Sequence, residues 1–486
     1  MSTVREIPRL RRAVRVGAPD RSLTPVSGMA AVTELVDRLK VIERLDAAIG
    51  PIKARDRGFS GGELLVGMAS AQLAGEDFLV GLDRRRDDVA GQVLAPVPGL
   101  ASTTAAGLAR RFTDGQWRGV ETGIGEVNTA VLAAVPAQRA AGLCETATID
   151  LDTTDVEVYG RKKRGMAYNY QGQRCGRPHV ASWAQTATVL AADLMAGNED
   201  PRRHAGALLR RAIAALPALV RATAKILLRA DAGYFAGELA RTALFAGVQF
   251  AIGAKRIAPL WRVLDGIAET AWVDAVDMPG AQVAVGPYCP DWWPADTEVL
   301  IRRVRLDIDA GQVSADLRSR RRRTLHPDQQ TLPITELADA DAVYGYSFIV
   351  TNLDVSTPEK AAAVEHWYRH RTQCENIFRD AKHGGALRHL PSGHEKVNRA
   401  WMWAALLAVN MAGWLHHLTA TPGPAGQLLG HGVRHGQAMI ATLRHKLICV
   451  PARLIRHARR HELRLPPGHH LLEQVLTRLR ALPTPT

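Results

Sequence analysis

Between residues 146 and 254 the apolar pattern switches repeatedly between period two and period 3.6. That alternation restricts the fold more than any other feature of the chain. "TATIDLD" and "ASWAQTATVLAADL" read as strands, residues 201–217 as a helix, and "KILLRAD" as a strand. "FAGELARTALFAG" reads as a helix and "VQFAIGA" as a strand. Strands alternating with helices build an α/β core, with helices covering the faces of the sheet. On either side the pattern differs. Residues 1–140 have helical periodicity. In that region "ASTTAAGLARRFTDGQW" predicts a short helix with Ser102 at its N-cap and Arg110 and Arg111 near its end. Those residues suit a helix-turn-helix recognition helix and an ordinary packed helix equally. Residues 255–343 carry short alternating runs, "TAWVDAV", "AQVAVG", "TEVLIRRVRLDI" and "QVSADLRS", and predict a β-rich insertion. Residues 344–420 return to the core pattern with the apolar strand "YGYSFIVTNL". Residues 421–486 predict a basic helical region ending in "ARLIRHARRHELRL".

Two acidic positions stand out against this frame. In "TIDLDTT" the aliphatic side chains alternate with Thr148, Asp150 and Asp152, so a strand puts both aspartates on one face. A carboxylate on a central strand needs a cation, hydrogen bonds or water; a wet edge strand satisfies the same pattern. In "KILLRADAGYF", Asp231 follows an apolar strand directly. Open α/β sheets place ligands at such strand ends, although capping of the next turn is an equally ordinary role for Asp.

The third acid lies in "YRHRTQCENIFRDAK". The segment beginning at Thr357 and Pro358 and stopping at Gly384 and Gly385 predicts one continuous helix. At about 100° per residue, Tyr368, Arg371 and Lys382 fall within roughly 40° of Glu375. The apolar Trp367, Cys374, Ile377, Phe378 and Ala381 form the neighbouring stripe, so the polar stripe borders the core. Arg369, Arg379 and Asp380 suit a solvated face with i,i+4 ion pairs. Two aspartates on strands and a glutamate on a helix make a donor set for hard divalent cations. Adjacent Arg and Lys suit an anionic phosphodiester.

Charge points the same way. The net charge is +14 and the pI about 9.9, which favours a polyanionic partner. The skew of 52 Arg against 10 Lys also fits a GC-rich coding sequence. The five cysteines (144, 175, 289, 374 and 449) never form a C-x-x-C, which excludes a Cys-based zinc finger and suits a reducing cytoplasm. "AWMWAALLAVNMAGWL" is too short for a membrane span and contains Asn410, so it predicts a core helix. The N-terminal "MSTVREIPRLRRAVRVG" has no apolar signal segment and reads as a basic arm.

The spacing Y-x2-R-x3-E-x6-K, met by Tyr368, Arg371, Glu375 and Lys382, resembles the signature of a branch of bacterial insertion-sequence DDE transposases. "DLDTT" and "DAGYF" resemble that branch's first and second catalytic motifs, in the same order. The resemblance covers roughly residues 146–415. It implies a ribonuclease-H-like core interrupted by the β-rich insertion, with helical regions at both ends. It implies Asp152, Asp231 and Glu375 as catalytic ligands of two Mg²⁺ ions, with Mn²⁺ able to substitute. Asp150 is the alternative to Asp152, which is preferred because it directly precedes Thr153 and Thr154. The resemblance further implies that Tyr368, Arg371 and Lys382 hold DNA near a cleaved end. It implies that a tryptophan of the insertion, Trp292 or Trp293, stacks on a flipped base. In similar enzymes the element leaves by nicking, hairpin formation, hairpin opening and strand transfer. The implied partners are double-stranded DNA, as terminal inverted repeats and target, and a second copy of the chain; no membrane is implied. Residues 1–140 would bind DNA. Arg161, Lys162, Lys163 and Arg164 ("RKKRG") and "RSRRRR" (318–323) are further candidate phosphate contacts. A structure-selective nuclease on the same core and a non-catalytic DNA-binding derivative are the competing readings.

Overall fold

The structure, a computed structural model, describes residues 16–55, 57–306, 323–332, 336–337, 342–422, 428–429, 439–458 and 460–483. Most of the N-terminal arm, all of "QVSADLRS" and all of "RSRRRR" except Arg323 lie outside them.

After a short strand β1 (Leu23–Thr24), the strands of the main sheet follow in chain order. They are β2 (Thr146–Thr153), β3 (Val156–Glu157), β4 (Ala167–Tyr168), β5 (Arg174–Trp183), β6 (Thr188–Ala196), β7 (Lys225–Ala230) and β8 (Gln249–Ala254). The last four are β9 (Val273–Asp274), β10 (Ala281–Pro287), β11 (Glu298–Leu306) and β12 (Val343–Thr351). Their spatial order is β3-β5-β2-β7-β8-β12-β11-β10-β9, with β4 and β6 also pairing β5. The centre, β2-β7-β8, is parallel, within the α/β core that the alternation predicts, and the flanking pairs are antiparallel. The strands of the insertion extend this sheet: β11 pairs β12 from Glu298↔Thr351 to Leu306↔Val343.

Three sequence expectations change. "ASWAQTATVLAADL" is not one strand but the turn of a hairpin between β5 and β6. Ala187 takes a left-handed φ of 52°, and the Thr186 and Thr188 hydroxyls hydrogen-bond at 2.6 Å. The basic "ARLIRHARRHELRL" is not helical but a hairpin, Ala452–His457 with Arg460–Arg464, to which β1 adds a third strand. Its two-residue period brings Leu454 opposite Leu463, and both pack on the core, whereas a helix would scatter them. In residues 102–109, Ala101 takes the cap position and Ser102 instead bonds Asp83; Ala105, Leu108 and Ala109 are buried, and Arg110 and Arg111 are exposed.

The helices that matter here are α1 (Gly61–Leu73), α2 (Asp114–Ala134), α3 (Arg202–Ala214), α4 (Gly237–Phe245), α5 (Pro358–Arg369), α6 (Thr372–His383) and α7 (Glu395–Thr419). Helix α7 is the expected core helix, with Trp401, Trp403 and Trp414 all buried. Among the described residues no helix is long and apolar enough to cross a membrane. One core joins α7 to Leu65 of α1, Ile124 of α2 and Cys374, Ile377 and Phe378 of α6. The N-terminal helices therefore pack into the core that seats the Glu375 helix.

Buried polar residues on these helices complete the free edge of β6. Asn410 accepts from Val189 N at 2.7 Å and donates to Val189 O at 2.9 Å. Glu121 of α2 accepts from Ala192 N at 3.2 Å. An uncovered edge would leave those groups without partners in the core. Burial pushes the Glu121 carboxyl from 4.5 up to about 7, against the pull of Arg211. A carboxyl raised on folding adds stability below its unfolded value, and that contribution disappears as pH rises through about 7. Glu121→Gln is therefore expected to remove a stability decline between pH 4.5 and about 7, of order 3 kcal/mol, seen in paired melting curves.

Candidate active site

In the parallel pair β2-β7, Asp150 lies opposite Arg229 and Leu151 opposite Ala230. One step further along both chains come Asp152 and Asp231. The same register thus builds two layers on one face: a buried ion pair beneath, an acidic pair above. Arg229 grips Asp150 through Nε–Oδ1 at 2.7 Å and Nη2–Oδ2 at 2.8 Å, and both side chains are essentially inaccessible. The two aspartates left as alternatives differ in their partners. Asp150 is committed to Arg229, whereas Asp152 is partly accessible, with its side chain 13% exposed.

Asp152 and Asp231 share a cation, Arg371. Its guanidinium is 3.4 Å from Asp152 and 4.0 Å from Asp231. Asp231 also accepts from Gly233 N at 2.9 Å, so it caps the following turn while its other oxygen faces Arg371. Burial pushes the Asp152 carboxyl up to about 6; Arg371 pulls it down, and the charges of Asp231 and Glu375 push it up. Glu375 is exposed in the first turn of α6. Burial works against the charge on Arg371, and Asp152, Tyr368 and Asp231 hold it in place.

The helix bearing the stripe differs from the continuous one the sequence predicts. It breaks after Arg369, and α6 starts at Thr372. Arg229 supplies a reason. Its Nη1 donates to the Trp367 carbonyl at 2.6 Å, and its guanidinium lies 5.2 Å from the Trp367 ring. A side chain inserted into the helical ladder displaces the usual bonds; His370 N and Arg371 N turn instead to the carbonyls three residues back. The break sets Tyr368 on one helix, Glu375 and Lys382 on the next, and Arg371 at the corner. Cys374, Ile377, Phe378 and Ala381 are buried as expected. Asp380 is not on a solvated face: it is buried, accepts from Ile440 N at 2.9 Å, and burial pushes its carboxyl up to about 7. Arg369 does keep its i,i+4 pair with Glu365.

Tyr368 is largely buried and donates to Ala230 O at 3.1 Å; burial pushes its hydroxyl up to about 12. Its seat depends on Gly253 in β8. A Cβ there would lie 2.6 Å from the Tyr368 hydroxyl, 2.8 Å from Ala232 N and 3.1 Å from Asp231 C. The only signal in the sequence was a glycine inside a buried strand, which marks a close approach. Gly253→Ala is expected to shift the chain just after Asp231, costing about 1–3 kcal/mol and lowering catalytic rate more than melting temperature. Arg229 and Tyr234 were also missed. Tyr234 follows Asp231 by three residues; its buried hydroxyl has no partner among the described residues, and after burial it is the charges of Asp152 and Asp231 that most raise it.

The other candidates divide. Lys382 is half-buried and donates to Thr154 Oγ1 at 2.6 Å and Asp155 O at 2.9 Å, tying α6 to the loop after β2. Trp293 does not face solvent: it is buried against Phe235 and Phe250. Trp292 is 46% exposed and packs edge-on against Phe235 of "DAGYF" and against Trp293 of the insertion. Lys163 donates to Leu390 O and so holds a loop, while Arg161, Lys162 and Arg164 are exposed.

Among the described residues no three His, Cys, Asp or Glu side chains are already gathered at cation-binding distance. The donor chemistry nevertheless fits a hard divalent cation. It offers carboxylate oxygens, one of them on an Asp152 that burial and then its acidic neighbours raise, beside an orphaned tyrosine hydroxyl and with Arg371 as the present positive charge.

The family model described as "Transposase DDE domain group 1" matches residues 8–315 and 334–484. No curated protein matches the chain. Among solved structures, a piggyBac transposase synaptic complex with hairpin DNA is 10% identical with a TM-score of 0.37. That match covers 85% of this chain and 78% of that one, and at this level the likeness carries no weight for fold or function.

Proposed function

Because the chain belongs to the transposase DDE domain family, group 1, we propose that it is the transposase of a bacterial insertion sequence, cutting element ends and joining them to a target. The observation that carries this reading is the Asp152–Arg371–Asp231 constellation at the ends of two parallel strands, with Glu375 one helical turn beyond Arg371. Asp152, Asp231 and Glu375 are the groups that would hold two Mg²⁺ ions, with Mn²⁺ as a substitute. Such ions supply activation of the attacking oxygen and stabilisation of the leaving one. Arg371, which neutralises the two aspartates here, would be free for a DNA phosphate, a partner its planar fork matches, if cations took its place. Tyr368 fixes the backbone beside Asp231, and Lys382 fixes the loop beside Asp152. Arg110, Arg111, Arg161, Lys162 and Arg164 are exposed and free to meet phosphates; Trp292 remains the stacking candidate of the insertion. A homodimer on paired ends and a hairpin intermediate belong to the same reading.

The test is cleavage of a plasmid carrying the element's own inverted repeats, with Mg²⁺ or with chelator, by wild type and Asp231→Asn. Nicking and strand joining by wild type alone support the proposal. Equal cutting by both proteins would sink it, and hydrolysis without joining would favour the nuclease reading.

A further inference from the structure

Of the eight tyrosines in the chain, Tyr159, Tyr168 and Tyr170 are 88%, 63% and 89% exposed, whereas the other five are buried or half-buried. All three lie on one wing, residues 159–173, between β3 and β5. Single exposed apolar side chains are ordinary on a protein surface; three aromatic rings within twelve residues are a concentration. Basic residues are interleaved with them. Arg161, Lys162 and Arg164 are exposed, and none is ion-paired among the described residues. Three acids border the wing: Glu157 accepts from the Tyr159 hydroxyl at 3.2 Å, Asp155 accepts from Asn169, and Glu395 packs beside Gly165.

The wing is held in shape. Arg174 donates to Gly160 O and, at 2.6 Å, to Lys163 O. Lys163 in turn donates to Leu390 O. Asn169, between two of the tyrosines, donates to Asp155 Oδ2 at 2.9 Å. Asp155 is three residues past Asp152, and its carbonyl accepts from Lys382 of the Glu375 helix. The rings are thus referenced to the acidic site through Asp155. They also stand apart from Trp292: the wing borders β5 on one side of β2, and Trp292 lies between β10 and β11 on the other.

We propose that Tyr159, Tyr168 and Tyr170, with Arg161, Lys162 and Arg164, form a stacking platform for unpaired bases of the DNA held at the Asp152/Asp231/Glu375 site. Every base has a face on which an aromatic ring can stack, and the neighbouring cations follow the backbone. The partner class is single-stranded DNA adjoining a duplex, a species that strand cutting itself produces. This inference rests on the transposase reading for its partner.

The experiment is equilibrium binding without divalent cations. The probes are a blunt duplex and the same duplex with a short single-stranded tail carrying 2-aminopurine. A Tyr159→Ala/Tyr168→Ala/Tyr170→Ala protein is expected to lose roughly tenfold or more in affinity for the tailed probe and to abolish its 2-aminopurine quenching. Binding of the blunt duplex stays unchanged, and the triple Tyr→Phe protein behaves as wild type. If the alanine protein binds both probes as wild type does, or loses both equally, the platform is wrong. Because no cleavage is read, that outcome leaves the transposase reading standing. A wild type unable to nick DNA yet sensitive at the tyrosines would do the reverse.

Discussion

Asp152→Asn is expected to slow DNA cleavage by about a thousandfold or more while leaving the melting temperature unchanged or slightly higher. A divalent ion contributes several kcal/mol of charge stabilisation in phosphoryl transfer, and each 1.36 kcal/mol is a factor of ten. Stability should not suffer, because burial and the charges of Asp231 and Glu375 push the Asp152 carboxyl up to about 6 despite Arg371. Above that pH its charge is held at a cost, which a neutral amide removes. Asp150→Asn should behave in the opposite way, since it strips the partner from a buried Arg229. Single-turnover cleavage and melting of the two variants side by side give the check. Cleavage retained by Asp152→Asn would remove it from the site.

Arg229→Ala is expected to cost about 3–5 kcal/mol, because it leaves Asp150 buried without its counter-charge. Replacing both members, Asp150→Leu with Arg229→Met, should restore much of that stability, as buried ion pairs often exchange for apolar residues without loss. Cleavage should not return with it. The Trp367 carbonyl would regain its place in the helical ladder, α5 would run on into α6, and Arg371 would turn away from the aspartates. Denaturant melts and cleavage rates on the single and double variants separate these effects. Full activity in the double variant would show that Arg229 does not set the break.

Much of this site could be read from residue order. The two-residue period of "TIDLD" put Asp150 and Asp152 on one face, and the apolar run before Asp231 ended where a strand should end. The rim position of the Glu375 stripe also followed from periodicity, since Cys374, Ile377 and Phe378 are the buried neighbours expected. The break after Arg369 was not legible, because its cause, Arg229, is remote in sequence and reads there as one charged residue in an apolar strand. Asp380 was misassigned for the same reason: the Ile440 N–H that it meets is supplied by a distant segment. Trp293, a stacking candidate by resemblance, is covered by Phe235 and Phe250, which are likewise remote in sequence.

By itself, the sequence determined the core pattern and the chemistry it carries. It specified an α/β core, three acids in order, and a cationic stripe beside the third. These follow from local periodicity, which a chain expresses wherever it folds. Only the tertiary structure decided which charges are spent and which remain available. Asp150 went to Arg229, Lys382 to the loop at Thr154 and Lys163 to Leu390, while Asp152 and Asp231 share Arg371 and Glu375 stays exposed. Pairing of that kind depends on parallel register and long-range packing, and no local pattern records either.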